Sequence, residues 1–380
     1  MKPTPQHATL RRASQPQTGF SLIEILVGLA IGLLATLVIM QVFSVFEGQK
    51  RSTTGTGDAQ TNGSIAIYSI QHELKMSGYG LLPAAADSPL GCTTVSAGST
   101  GITSIAPVKI TDGGTLAGAS DSITIHYAST DSGGVPTQIT GIGVTGPNDL
   151  TVDNNMGCHV GDVAMMISGT TCNLTNVTGP SDIAVPPVLS GASAVTTTVT
   201  VQNIPTGIAN GDKLSCLGAW VTSIFRVNLN YDPTSSTNSQ AYMERATDPL
   251  VAGNPVVADI VNIQAQYGIA ATAGSNQVTN WVDATGATWA SPTVADRNRI
   301  KSLRIAVVAR NGSYEKGIVT NICTTAKGVI NNGPCAWDDS NVDPSPKIDL
   351  SNDPNWQHYR YRVFETIIPL RNTIWAWSTL

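Results

Sequence analysis

The stretch QTGFSLIEILVGLAIGLLATLVIMQVF, residues 17–43, decides the class of this chain because it has the length and apolarity of a membrane-spanning helix. The run from Ile25 to Phe46 holds 22 residues and no charge. Extended back to Phe20, a helix of this run reaches about 40 Å, which crosses a bilayer with some tilt. One acid, Glu24, lies near its start, although a carboxylate at the centre of a membrane helix costs roughly 2.5–3.5 kcal/mol.

Two ordinary explanations of the apolar run fail on the residues around it. A cleaved secretory signal has an apolar core of about 7–15 residues followed by an A-x-A-like site, and the sequence QVFSVFEGQK at residues 41–50 offers no such site. An ordinary membrane anchor explains neither Glu24 nor the Gly19-Phe20 step before it. The Gly-Phe step, the acid and the helix therefore need one common explanation.

The residues GFSLIE at positions 19–24, behind a basic leader, resemble the type IV prepilin (class III) signal. In that family a membrane prepilin peptidase cuts after the glycine, here Gly19, and N-methylates the new first residue, here Phe20. The apolar run stays in the mature protein as its anchor and later as the core of a fibre. Because the basic leader precedes the run, the positive-inside tendency places the N-terminus in the cytoplasm and the rest of the chain outside it.

The resemblance gives Glu24 a physical role. Cleavage after Gly19 creates a charged amine on Phe20, at a helix end with unpaired N–H groups and the positive end of the dipole. A carboxylate on the first turn can neutralise that charge within one subunit or in a neighbour, so an assembly charge pair is expected. Snorkelling of the carboxylate to the headgroups is the alternative explanation. Gly28 and Gly32 add a G-x-x-x-G spacing, which permits close packing of helices in lipid.

Beyond the apolar run, the resemblance implies an amphipathic second half of the helix and a globular head. Helical spacing returns at Ala66, Ile70 and Leu74 and stops at Gly78-Tyr79-Gly80, although the glycines within residues 47–64 disfavour helix. The expected fold class is α+β and pilin-like, with the long helix packed on an antiparallel β-sheet head that carries a β-rich insertion. The expected ranges are a leader at 1–19, a transmembrane and fibre-core helix at 20–46, the soluble half of the helix at 47–80, a β-rich elaboration of the head at 81–215 and the C-terminal β-sheet part of the head at 216–380.

Strand patterns dominate the rest of the chain. Alternating or β-branched runs between turn residues predict strands, the best of them at residues 122–128, 162–168, 194–202, 220–232, 260–270, 300–310 and 360–372. In the run 300–310, Leu303, Ile305, Val307 and Ala309 share one face, which is typical of a half-buried antiparallel strand. Whether residues 81–215 elaborate the head or form a small second module stays open.

The segments IYSIQHELKMSGYG, VGDVAMMISG, AQYGI, SLRIAVVAR and FETIIPLRN resemble the PilW family of minor pilins. This resemblance implies a non-enzymatic protein that helps to initiate type IV pilus assembly and sits at or near the pilus tip, first in the inner membrane and then at the cell surface. It implies as partners the other minor pilins, the major pilin, the prepilin peptidase, the inner-membrane assembly platform and a tip adhesin. Gln41 stands where many major pilins carry a proline, which also favours a minor pilin.

Two alternative functions share part of this pattern. A minor pseudopilin of a type II secretion system has the same leader and helix. A membrane-anchored envelope enzyme or binding protein belongs to a different class, and it would keep residues 1–19.

Six cysteines, all of them after the apolar run, predict up to three disulfides in an oxidising compartment. The preferred pair is Cys323 with Cys335, which close a short loop. The other expected pairs are Cys158 with Cys172 and Cys92 with Cys216. Buried free thiols are the alternative for the last of them.

Charge and motifs exclude several classes of function. After the first 19 residues the chain carries 18 basic and 26 acidic residues, which repels phosphate and argues against nucleic acid as the main ligand. The sequence holds no H-E-x-x-H, G-x-S-x-G or P-loop motif. We therefore expect no enzymatic activity and no cofactor, and structural or surface roles for the scattered histidines.

One acidic loop has a pattern that suggests calcium. Asp339, Asn341 and Asp343 match alternate ligand positions, but Pro344 replaces the turn glycine and Leu350 stands where a bidentate glutamate belongs. A solvated loop is the expectation and a calcium site the weaker candidate. Three tryptophans near the C-terminus are expected in the core, with an exposed subunit interface as the alternative: Trp356, Trp375 and Trp377.

Overall fold

The structure, a computed structural model, describes residues 19–81, 89–144, 146–155, 157–179, 197–230, 240–337, 340 and 343–374. The α-helices among them are α1 (Leu22–Met76), α2 (Gly286–Trp289), α3 (Val294–Arg297) and α4 (Arg371–Ile374), and two short 3₁₀ helices lie at Pro89–Gly91 and Trp356–His358. The strands are β1 (Thr94–Ser96), β2 (Val108–Thr111), β3 (Ser122–Ala128), β4 (Thr137–Ile142), β5 (Asp149–Val152), β6 (Val163–Ser168), β7 (Thr171–Gly179), β8 (Thr197–Val201), β9 (Lys213–Gly218), β10 (Trp220–Asn230), β11 (Gln240–Ala246), β12 (Asn254–Ala258), β13 (Ile260–Ala270), β14 (Val278–Val282), β15 (Ile300–Arg310), β16 (Cys323–Thr324), β17 (Ile330–Asn331) and β18 (Tyr361–Pro369).

The chain divides into two compact units, the first ending at Thr54 and the second beginning at Gly55. In the first unit the described residues are dominated by α1, and every side chain from Phe20 to Phe46 is exposed. The second unit holds the remainder of α1 and the described strands β1 to β18. The glycines of residues 47–64 do not interrupt α1.

In the second unit, a stripe of small residues lets α1 lie directly on a sheet. Its members recur every three or four positions and therefore share one helix face: Gly55, Ala59, Gly63 and Ala66. A Cβ at Gly63 would overlap the ring of Phe364, and a Cβ at Gly55 would overlap the side chain of Asn311. Gly57 instead faces open space. Two glycines that weaken the helix locally are thus required by its packing.

The end of α1 is fixed by the chain around it. Gly78 adopts a φ of 72°, in the left-handed region, and its N–H donates to the carbonyl of His126 at 2.9 Å. The side-chain amide of Asn372 donates to the last carbonyls, at 3.3 Å for Lys75 and 3.0 Å for Ser77. The two bonds from Asn372 satisfy carbonyl groups of the kind that a helix leaves unpaired at its C-terminus, and the bond from Gly78 ties the end of the helix to β3.

Two antiparallel sheets surround this part of α1. The five-stranded sheet has the order β12-β11-β10-β3-β2, and the four-stranded sheet has the order β14-β13-β15-β18. Ile70 and Leu74 of the helix are fully buried in one core cluster with residues of both sheets, among them Ile125, Ile263 and Ile305. This arrangement confirms the predicted α+β, pilin-like layout.

The third sheet closes on itself. Its order is β1-β7-β6-β9-β4-β5-β8, and β8 also pairs with β7, so six strands form a closed barrel with β1 added in parallel beside β7. A buried apolar cluster draws residues from all six strands and fills the interior, for example Ile139, Leu150, Met166, Val177, Val199 and Leu214.

The sheets do not follow the sequence ranges expected for the head. Strands β2 and β3 lie before residue 215 but pair into the sheet of β10, and β9 itself runs across residues 215 and 216. The predicted boundary at this point therefore does not coincide with a boundary between sheets.

Strand β15 is buried on both faces, so the half-buried pattern expected for it is wrong. Its predicted inner face packs in the core beneath α1. On the opposite face Val308 packs with Ile348, Leu350 and Trp356. The segment that covers this face comes later in the chain. The pattern within residues 300–310 therefore could not predict that this face is buried.

A buried carboxyl group connects the two antiparallel sheets. Asp121, just before β3, accepts hydrogen bonds from the N–H of Ala265 on β13 at 2.8 Å and from the N–H of Gly113 at 2.9 Å. Burial raises the pKa of Asp121 to about 7. The two N–H groups oppose this rise, and the nearby charges of Asp112 and Asp283 add to it.

Replacing Gly63 by alanine should destabilise the head by about 1–3 kcal/mol, because the new methyl group overlaps the Phe364 ring. The matched control Gly57→Ala should leave stability unchanged or raise it by up to about 1 kcal/mol, since alanine favours helix and the position is open. Urea unfolding of the full chain in detergent measures both. Equal effects of the two substitutions would contradict the packing role of Gly63.

The stability of the head should depend on the pH through Asp121. Its pKa is about 7 in the folded chain against 3.8 as the ordinary value, so protonation favours the folded state. This contribution is complete below about pH 4 and is lost as the pH rises through 7. The free energy of unfolding of the unsubstituted chain, minus that of Asp121→Asn, should therefore fall with rising pH, by up to about 1.4 kcal/mol per pH unit. Urea unfolding between pH 4 and pH 8 measures this difference, and a flat profile would contradict it.

Candidate assembly interface

The prepilin-type residues lie at the first turn of α1. Gly19 and Phe20 are exposed and precede the helix, which begins at Leu22. The Oε2 atom of Glu24 accepts a hydrogen bond from the backbone N–H of Ser21 at 3.0 Å. This contact is one half of a capping box, in which an acid three residues after the N-cap binds the N-cap N–H.

The capping contact places the Glu24 carboxylate where the expected charge pair needs it. Cleavage after Gly19 would put the new amine on Phe20, one residue before the N–H group that Glu24 already binds. Sequence reasoning missed this contact, although the S-x-x-E spacing from Ser21 to Glu24 was a signal for it. The pairing with an amine itself stays a prediction.

The apolar run of α1 presents a surface that fits a membrane by its length and composition. It contains a window of 18 residues with a mean hydropathy of 2.7, none of it buried. Gly28 and Gly32 face open space, with no atom within 4 Å of the position of a Cβ. Their packing against another helix, like the cleavage and methylation at Gly19 and Phe20, stays a prediction.

A second acid of α1, Glu73, is buried and bound by three side chains of the head. Nη2 of Arg245 lies 2.9 Å from Oε1, and the hydroxyls of Tyr127 and Ser223 each donate to Oε2 at 3.1 Å. The guanidinium of Arg245 also donates to Ser223. These partners come from β3, β10 and β11, so the helix is fixed to the five-stranded sheet by charge as well as by apolar contact.

The contacts of Glu73 compensate for the burial of its charge. Burial raises the pKa of Tyr127 and the negative charge of Glu73 raises it further, so the phenol stays protonated and donates. Removing Arg245, whose own side chain is 41% exposed, would leave the buried Glu73 carboxylate without its cationic partner. The sequence held one sign of this role, an acid on the buried helix face between Ile70 and Leu74.

The structure joins Cys323 to Cys335, as the short loop between them predicts. Their Cα atoms are 5.7 Å apart. Inside the loop, β16 and β17 form a small hairpin. The disulfide therefore closes a hairpin whose strands are each two residues long.

The other two predicted pairings, Cys158 with Cys172 and Cys92 with Cys216, are wrong. The structure pairs Cys92 with Cys172 and Cys158 with Cys216, with Cα separations of 5.8 Å and 5.2 Å. Strand order is the reason: β1 follows Cys92 and lies beside β7, which carries Cys172. Strand β6 follows Cys158 and lies beside β9, which carries Cys216.

The structure gives little support to a calcium site in the acidic loop. Asp339 and Asn341 lie outside the described residues. The third candidate ligand, Asp343, already accepts a hydrogen bond from the N–H of Trp281 at 3.0 Å. The part of the chain that the structure describes contains no group of three or more His, Cys, Asp or Glu side chains arranged to hold a metal ion.

Two histidines of the head make structural contacts. Nδ1 of the buried His126 lies 2.7 Å from the carbonyl oxygen of Ala106, and burial lowers the pKa of this ring. Nδ1 of His358 lies 2.8 Å from the carbonyl oxygen of Glu315. Neither contact resembles a catalytic pairing.

Of the three C-terminal tryptophans, the described one lies in the core. Trp356 is buried and packs with Ile348 and Val308, as predicted. Trp375 and Trp377 lie outside the described residues.

Two families match this chain. Residues 229–372 match the family described as Type IV Pilus-assembly protein W. Residues 15–40 match the Prokaryotic N-terminal methylation motif. No curated protein and no solved structure matches the chain.

Each match falls on a part of the molecule described above. The first covers β11 to β18, and so includes the four-stranded sheet that packs against the small-residue stripe of α1. The second covers Gly19, Phe20 and Glu24 together with most of the apolar run. Both confirm the resemblance that the sequence motifs carry.

Proposed function

We propose that this chain, a type IV pilus-related pilin with a PilW-family region and a prepilin methylation motif, helps to initiate pilus assembly and sits at or near the pilus tip. Its family regions point to a structural component of the pilus rather than an enzyme. The observation that carries the proposal is the first turn of α1, where Glu24 lies at the start of the exposed apolar run.

The route to the pilus begins in the inner membrane. The run at residues 20–46 anchors the chain, with its N-terminus in the cytoplasm and its head outside. The prepilin peptidase then cuts after Gly19 and methylates Phe20, and the soluble half of the helix carries the head. The motif at residues 15–40 and the uncharged run from Ile25 to Phe46 support this order of events.

Glu24 exchanges one partner for another during assembly. In the single subunit its carboxylate binds the N–H of Ser21. In the packed helix bundle it pairs with the amine of Phe20, in its own subunit or a neighbour, because an unpaired charge in hydrocarbon costs several kcal/mol. Gly28 and Gly32 let neighbouring helices approach while this pair forms.

The size of the head supports a place at the tip. Among the described residues, a closed barrel and three further sheets, the smallest of them the pair β16 and β17, make it larger than a repeating fibre unit needs. Gln41 replaces the proline found in many major pilins. Its partners there are the other minor pilins, the major pilin, the assembly platform and a tip adhesin. The PilW match favours this role over that of a secretion pseudopilin.

The mature protein should begin at a methylated Phe20. Intact-mass measurement of the protein from its native cells, followed by sequencing of the N-terminal peptide, checks this. Retention of residues 1–19 would favour a membrane-anchored envelope protein instead. The matched variant Gly19→Ser should remain uncut, because in the family that this signal resembles the cut follows a glycine.

Substitution of Glu24 should impair incorporation into the fibre by at least about tenfold, which corresponds to about 1.4 kcal/mol, while leaving processing largely intact. The comparison of Glu24→Ala with Glu24→Gln separates charge from capping, because glutamine keeps an oxygen that can bind the Ser21 N–H. Both variants should fail equally if the charge pair matters.

The readout is the amount of processed chain in sheared pili relative to the membrane fraction. Glu47→Gln, an acid beyond the apolar run, is the matched control and should incorporate normally. Normal incorporation of Glu24→Gln beside a defect of Glu24→Ala would show that only capping matters and would refute the pairing role.

A further inference from the structure

Strand β18 has an open edge. It pairs with β15 on one side, and within the described residues no strand pairs with it on the other. The carbonyl of Arg360 accepts the N–H of Asn311, and the N–H of Leu370 donates to the carbonyl of Lys301. Since backbone groups alternate in direction along an antiparallel strand, the even-numbered residues of β18 face β15 and the odd-numbered ones face outward.

The same edge is already used just before the strand begins. The hydroxyl of Thr320 donates to the carbonyl of Tyr359 at 2.6 Å, and the N–H groups of Val319 and Thr320 donate to the carbonyl of Gln357. A short stretch of this chain thus lies along the edge and stops before β18. At the other end, Pro369 occupies an outward position, where a missing N–H costs no bond within the sheet.

A polar groove of about 480 Å³ lies where the open edge begins. It is lined by Thr56 and Ala59 of α1, by Arg360 just before β18 and by residues 361–363 of β18, with others from the neighbouring segments. Two guanidinium groups belong to this lining. Arg360 binds Glu315 through two nitrogens, at 2.6 Å and 3.1 Å.

Arg362 gives the groove its charge. It is exposed, and no acidic side chain among the described residues forms an ion pair with it. The chain beyond its first 19 residues is acidic, with 26 acidic against 18 basic residues. A basic groove on such a chain complements an acidic partner and would repel another basic surface.

We propose that β18 accepts an extended acidic segment of a neighbouring pilin subunit as an additional strand. The outward N–H and C=O groups of Tyr361, Val363 and Ile367 bind the main chain of that segment, and Arg362 binds one of its carboxylates. Ile367, which is 57% exposed, gains an apolar contact. Only the choice of a pilin as the donor rests on the proposed function, since the edge and the groove are properties of this chain.

The test uses the full chain in its native cells, with the photo-crosslinking residue p-benzoylphenylalanine at Ile367. The control carries the same probe at Leu250, which is 93% exposed and lies away from β18, between β11 and β12. Mass spectrometry of the crosslinked peptides should identify, from the probe at 367 alone, an extended segment with Asp or Glu residues from a protein that carries the prepilin methylation motif. Crosslinks from 367 only to lipid or to proteins of other classes, or no crosslinks at all, would overturn the proposal.

Two pairs of variants test the contacts, with protease resistance of the head as the check on folding. Arg362→Glu should lower co-purification of the identified pilin at least tenfold, whereas Arg371→Glu, an exposed arginine beyond the strand, should not. Ile367→Pro removes an outward N–H, so it should lower co-purification of that pilin at least fivefold more than Ile367→Ala does. Equal binding within each pair would overturn the proposal.

Failure of this proposal is distinguishable from failure of the proposed function. Crosslinking is scored in the membrane fraction, before fibre assembly, and incorporation is scored in sheared pili. A chain that enters pili without forming the crosslink overturns the added strand alone. A chain that forms the crosslink but whose deletion leaves pili unchanged overturns the role in assembly alone.

Discussion

The head depends on how closely α1 can approach the four-stranded sheet. A helix and a sheet normally keep a distance set by the side chains between them, and here two positions of the helix carry none. Gly63 lies under the ring of Phe364 and Gly55 against Asn311, where even a methyl group would overlap. This approach brings Ile70 and Leu74 into the core. The glycines therefore weaken the helix by local propensity and stabilise the protein by packing.

Two acids on the same helix illustrate opposite solutions to one electrostatic problem. Glu73 has three donors, drawn from three strands, and its charge is compensated inside the folded head. Glu24 has the N–H of Ser21, one exposed bond at the end of the helix. The first acid ties the helix to its own head. The second makes its side-chain bond within the first turn of the helix itself.

The barrel sheet closes its edges, whereas the four-stranded sheet leaves the edge at β18 open. Only an open edge can pair with a further strand. The barrel closes on itself through the pairing of β8 with β7, and its interior is filled by apolar side chains. The four-stranded sheet ends at β18, whose odd-numbered residues direct their backbone groups outward. Open edges are commonly protected in soluble proteins because they pair with other chains. An edge beside a basic groove in an acidic chain is therefore suited to a particular partner.

The sequence by itself determined the local and chemical features. The motif from Gly19 to Glu24, the apolar run behind it and the strands at 260–270 and 300–310 follow from neighbours in the chain, as does the short disulfide from Cys323 to Cys335. Tertiary structure alone decided which distant segments meet. It set the partners of Cys92 and Cys158, the burial of the second face of β15, the donors around Glu73 and the packing role of the small-residue stripe of α1. Propensity and periodicity describe one segment at a time, whereas these features depend on which strand lies beside which.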